Sequence, residues 1–220
     1  YPTTPLRRDG RERALYHTGF TSKLVTDLAA GKPTKMILQA FTFSGHTPNP
    51  DNIREWASQA AKGGATHIEW YTAGATRFSL PTVHAELLRI SRLWKDMPAL
   101  DIPPSSGVAV IFSDDSRAAS NDARLDGHYA LHVILGERLG AWFTFIGENH
   151  VRRGLQSLER ARIIIAPRLS HVSRDFAETL AARVEAGATL VITDPDALSW
   201  DIETGSLDRM RTGIVGSARG

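Results

Sequence analysis

The 220-residue chain carries 26 basic and 24 acidic residues, a net charge of +2, 42% hydrophobic residues and no cysteine. The basic residues are scattered rather than gathered into a stripe, which argues against nucleic acid as a partner, and the lack of cysteine excludes disulfides, thiolate metal ligands and cysteine nucleophiles. No apolar run approaches the roughly 20 residues of a membrane span, and a start at Tyr1-Pro2 rather than methionine leads us to expect a piece of a longer polypeptide.

The mixed-charge run Arg7 to Arg13 reads as a solvated arm. From Arg11 to Ala30, Leu15, Phe20, Leu24, Val25 and Leu28 recur at helical spacing, and Gly31 stops the pattern. Met36 to Phe43 predicts a buried strand. Asn49 followed by Pro50 is an N-cap and first-turn pair, and Ile53, Trp56, Ala57 and Ala60 mark one face of a helix ending at Gly63-Gly64. A second strand is expected over Thr66 to Thr72 and a helix over Pro81 to Lys95. Strand, crossover helix and strand form the unit of a parallel sheet, but two strands cannot close a barrel of eight.

Pro98 to Gly107, rich in proline and serine, reads as a linker, so the expected division is 1–97, a linker 98–106, and 107–220. Beyond it the pattern predicts a strand Val108 to Phe112, a helix Leu125 to Leu139, strands Trp142 to Ile146 and Arg162 to Ala166, a helix Arg174 to Glu185 and a strand Thr189 to Thr193. Such alternation indicates a doubly wound, flavodoxin-like sheet. From Asp194 to Gly220 no strand is expected except at Gly213 to Val215.

Two stretches resemble a known family. Pro50, Trp56, Gln59-Ala60 and Gly64-Ala65, followed by the strand Thr66 to Thr72 and His84, resemble the last strand–helix units of the catalytic barrel of family-42 glycoside hydrolases, the β-galactosidases. Arg162 to Leu169 and Val184 to Thr193, together with Gly107 to Phe112, resemble the β-galactosidase trimerisation domain, whose fold is like that of class I glutamine amidotransferases. The resemblance implies an α/β chain holding the C-terminal strand–helix units of a TIM-type (β/α)8 barrel and then an amidotransferase-like domain. It implies a carbohydrate substrate, hydrolysis of an O-glycosyl bond, no cofactor, and a homo-oligomer, with a trimer among the options. The rest of the barrel, with the acid/base carboxylate, is expected upstream in the same protein. It also implies a nucleophilic glutamate in the strand Met36 to Phe43, where the family's Glu-x-Gln pattern falls on Ile37 and Gln39, and a Trp-Arg pair where Ala73-Gly74 stand.

Glycoside hydrolysis requires two carboxyl groups flanking the bond, and in a barrel these sit at the C-terminal ends of strands. Glu69 is the one carboxylate on a strand near such an end, sharing a face with His67 and Tyr71 while Ile68 and Trp70 share the other. It is the candidate catalytic residue, and a glutamate held by a basic side chain is the competing reading. Trp70 and Tyr71 are candidates for a sugar-stacking platform or for core packing, Gln39 for a sugar-binding or a buried amide, and His46 for a binding or an ordinary loop histidine. His128 and His132, four apart on a helix, have no third residue at metal-ligand spacing, so no metal is expected. Asp114-Asp115 and Asp194-Pro195-Asp196 follow strands where doubly wound folds bind ligands, or else serve turns and caps. Without cysteine or a Gly-x-Ser-x-Gly elbow, the second domain is expected to be structural. The reading is thus a glycoside-hydrolase fragment, with a non-catalytic carbohydrate-binding or assembly protein as the alternative.

Overall fold

The computed structural model describes residues 15–42, 46–97, 107–120 and 125–205. The arm Arg7 to Arg13, the proposed linker 98–106 and the strand Gly213 to Val215 lie outside these residues. The chain divides into two units, Tyr1–Ile102 and Pro103–Gly220.

In the first unit, helix α1 (His17–Leu28) precedes strand β1 (Lys35–Gln39), helix α2 (Pro50–Lys62), strand β2 (His67–Tyr71) and helices α3 (Ala73–Ser79) and α4 (Pro81–Asp96). The start of α2 is fixed by a reciprocal cap: the Asn49 side chain accepts from the Asn52 backbone N–H at 2.9 Å, and the Asn52 side chain accepts from that of Asn49 at 3.1 Å. Pro50, in the first turn, lacks only an N–H that the helix does not need there. β1 and β2 pair in parallel, with Ile37 opposite Glu69 and Gln39 opposite Tyr71. Met36 and Leu38 turn one sheet face onto Ile53, Trp56, Ala57 and Ala60 of α2 and Val83, Leu87 and Ile90 of α4, a core completed by Ile68 and Trp70. α1 is held to α2 by Gln59, whose amide donates to the Leu15 carbonyl at 2.5 Å and accepts from the Gly19 N–H at 2.9 Å.

The second unit contains β3 (Val108–Phe112), α5 (Asp114–Ala119), α6 (Asp126–Leu131), β4 (Thr144–Gly147), α7 (Glu148–Arg152), β5 (Ile163–Ala166), β6 (His171–Val172), α8 (Arg174–Glu185), β7 (Thr189–Ile192) and β8 (Trp200–Asp201). Four parallel strands lie in the order β4-β3-β5-β7, and β6 and β8 form a separate parallel pair. Ile164 and Ala166 of β5 pack with Phe176, Ala177 and Leu180 of α8, so this strand–helix pair is the centre of the core.

Three expectations are corrected. The helix foreseen over Leu125 to Leu139 is α-helical only to Leu131 and continues as a π-helix over His132–Arg138; its hydrogen bonds span five residues rather than four, and His132 Nε2 lies 3.5 Å from Glu137 Oε1, five residues on. The stretch after Asp194 does contain a strand, since β8 pairs with β6. The first strand ends at Gln39 rather than Phe43, which lies outside the described residues.

Candidate functional site

Alternation along β1 and β2 gives the two-stranded ladder a helix-packed face and an open face. The open face carries Lys35, Ile37 and Gln39 opposite His67, Glu69 and Tyr71. Ile37 and Tyr71 are each 44% exposed, an arrangement atypical of a parallel sheet, whose faces are normally both covered.

Glu69 lies mid-ladder, half exposed, with Oε2 3.1 Å from Lys35 Nζ. Lys35 therefore supplies the basic partner of the competing reading. An ion pair this exposed contributes at most about 1 kcal/mol, so it leaves Glu69 free to exchange Lys35 for another partner. Alternation along one strand puts Glu69 with Tyr71 and His67, but only the cross-strand register brings in Lys35, which sequence reasoning missed. At the carboxyl end of the ladder Gln39 is 1% exposed and its amide donates to the Phe41 carbonyl at 2.7 Å. The Phe41 ring meets Tyr71 edge-on at 5.7 Å, and β2 ends at a cis Tyr71–Thr72 peptide bond.

Trp70 is on the other face, among the core residues, with its indole N–H buried and without a hydrogen-bond partner among the described residues. The structure therefore brings Glu69, Gln39 and Tyr71 onto one face and does not bring Trp70 to it. His46 lies beyond β1, its ring 6.2 Å from that of Trp56 and its Nε2 buried without a partner among the described residues.

In the second unit, the Ser113 hydroxyl caps α5 by accepting from Ser116 N–H at 3.1 Å, Asp114 pairs with Arg117 at 3.5 Å, and Asp194 accepts from the Asp196 N–H at 3.0 Å. These carboxylates are placed in turns and caps. His128 is buried, with Nε2 2.9 Å from the Ile111 carbonyl and its ring against Phe112 and Phe145. His132 packs against Phe143.

Glu148 was not legible in the sequence. It follows β4 at 1% exposure; Oε1 accepts from the Ser173 N–H at 2.9 Å, whereas Oε2 has no partner of hydrogen-bonding geometry among the described residues. Burial pushes its carboxyl above the usual carboxylate range, against the opposing pull of the nearby Ser113 hydroxyl and the Ser173 N–H. A glutamate with a raised folded-state pKa gives the fold most stability when protonated, and that stability is lost as pH rises through the raised value. Glu148→Gln keeps the shape and the acceptor for Ser173 without the charge. Its melting temperature is expected to exceed that of the wild type at pH 8 and to match it below about pH 4, where ordinary glutamates protonate; thermal melts across that range check it.

Residues 106–197 match the family model of the β-galactosidase trimerisation domain. Among solved structures, a family-42 β-galactosidase of G. stearothermophilus superposes with a TM-score of 0.74 at 18% identity, over 94% of this chain and 33% of that one. A β-galactosidase of Bacillus circulans sp. alkalophilus gives 0.69 at 18% identity over 90% and 31%. That of the haloarchaeon Halorubrum lacusprofundi gives 0.67 at 18% over 94% and 35%. No curated protein matches the chain. The chain spans about a third of the length of these structures, and at such identities the likeness is one of fold. The chain thus carries a match to the β-galactosidase trimerisation domain in its second unit and is similar in fold to family-42 β-galactosidases along most of its length.

Proposed function

We propose that the chain is the C-terminal part of a glycoside hydrolase. Residues 1–97 supply the closing strand–helix units of a (β/α)8 barrel, 98–106 a linker, and 107–220 a flavodoxin-like, amidotransferase-like domain that serves homo-oligomer assembly, with a trimer as the leading stoichiometry. The observation that carries this reading is the open ladder face, in which Glu69 stands two residues before the strand end formed by Gln39 and Tyr71. In a (β/α) barrel that face is the interior, and the carboxyl ends of its strands are where substrates bind. Glu69 acts as one carboxylate of the pair that cleaves a glycosidic bond, the second coming from elsewhere in the protein. Gln39 and His46 offer hydrogen bonds to sugar hydroxyls. Tyr71 offers a ring on which a sugar face lies, with Trp70 supporting the strand end from the helix side.

One observation favours a second reading, a carbohydrate-binding or assembly protein without turnover: Ile37, not a carboxylate, stands directly across from Glu69, where the family resemblance calls for a glutamate. Incubating the intact protein with an aryl β-D-galactoside and measuring phenol release tests the first reading. Release above the uncatalysed rate supports it. Galactose binding without release establishes the second.

A further inference from the structure

We propose that the second unit carries a separate binding site for a hydroxylated carboxylate of the size of a uronic acid. Between α7 and α8 lies a cleft of about 460 Å³, lined by Asn149, Val151, Arg152, Arg153, Asp175 and Thr179. This is within the range that holds a small organic ligand. Among the described residues the lining contains no aromatic ring and a single apolar side chain, so an occupant is held by hydrogen bonds and charge rather than by stacking.

Neither Arg152 nor Arg153 forms a side-chain hydrogen bond or ion pair among the described residues, and neither does the Asp175 carboxylate. Two arginines and an aspartate thus line one cleft, none of them paired with another among the described residues. The Thr179 hydroxyl donates to the Asp175 carbonyl at 2.8 Å, which leaves its oxygen as an acceptor toward the cleft. An occupant that satisfies this lining must present a carboxylate to the guanidinium pair, which recognises planar oxyanions in a fork. It must also present hydroxyl donors to Asp175 and Thr179, and it can accept from the Asn149 amide. A neutral sugar leaves both arginines unmatched, and inorganic phosphate leaves Asp175 facing a second anion. A monosaccharide acid meets every demand. The proposal does not depend on the hydrolytic reading, because no residue of the β1–β2 ladder takes part.

Asp175 also lies in the first turn of α8, where a carboxylate complements the helix dipole. That role predicts only a small change in melting temperature on Asp175→Asn and no change in ligand binding. The experiment is calorimetric titration of the intact protein with D-galacturonate, with D-galactose and inorganic phosphate as comparison probes. Galacturonate is expected to bind at least tenfold more tightly than either. The double substitution Arg152→Gln with Arg153→Gln is expected to weaken it at least tenfold at an unchanged melting temperature, and Asp175→Asn to weaken galacturonate binding while tightening that of phosphate. No galacturonate binding, equal affinity for galactose or for phosphate, or an unchanged affinity in the double variant overturns the proposal.

Discussion

Gly63→Ala is expected to destabilise the first unit by about 2–3 kcal/mol, an overpacking cost at a helix–helix contact. A Cβ at Gly63 would stand 2.5 Å from the Ser22 Cβ, 2.8 Å from the Lys23 backbone nitrogen and 3.1 Å from the Gly19 carbonyl oxygen. Two of these three atoms are backbone, so no rotamer change relieves the clash and α1 as a whole must move away from α2. The movement disturbs more than van der Waals contact. It pulls on the Gln59 hydrogen bonds to Gly19 and Leu15. It also reaches Lys23, which pairs with Asp27 at 3.1 Å with both side chains about nine-tenths buried, and whose pKa is held down by burial. Gly74→Ala is the control. That glycine lies in α3, and a Cβ there would meet nothing within 4 Å, so alanine is expected to be neutral or to stabilise by about 0.5–1 kcal/mol. Urea unfolding followed by tryptophan fluorescence distinguishes the two, and equal effects would remove close approach as the reason for Gly63.

That contact illustrates how far the sequence could be read. The Gly63-Gly64 pair was legible as the stop of α2, because a helix ends readily in glycine, and Gly64 does take a φ of +89°. The need for Gly63 itself was not legible, since it comes from α1 lying across it. The longer elements α2, α4 and α8 were visible because their apolar residues keep helical spacing, with Asn49-Pro50 and Pro81 marking the starts of the first two. α3 was missed because it buries only Thr76, leaving no apolar stripe to recognise. β6 and β8, at two residues each, are too short for alternation to show. The π turn after His132 escapes periodicity, since the buried residue of its segment is His132 and no apolar stripe marks the winding.

The candidate site divides in the same way. Alternation correctly separated Glu69 and Tyr71 from Trp70, because a strand places neighbours on opposite faces whatever its partners. It could not state what stands across from Glu69. The parallel register answers that with Ile37, and one step further along with Lys35 opposite His67. Glu148, by contrast, gave no signal at all, because its burial depends on Ser113 and Ser173, which are distant in sequence.

Glu69→Gln in the intact protein is expected to lower kcat for an aryl galactoside about a thousandfold, the order contributed by a positioned acid or base, with KM changed little. The amide retains the size and the hydrogen-bonding reach of the carboxylate and loses only its charge and basicity, so a fall confined to kcat identifies a group used in the transition state rather than in binding. Loss of folding does not explain such a result: the exposed pair with Lys35 at 3.1 Å is worth at most about 1 kcal/mol, and a melting curve within a few degrees of the wild type confirms it. Lys35→Met separates the remaining roles. If Lys35 only balances the charge of Glu69, its removal leaves turnover within a few fold. If Glu69 is merely the partner of Lys35 on an open strand face, neither substitution changes kcat, and Ile37 standing across from it marks a ladder on which the family's chemistry is no longer carried.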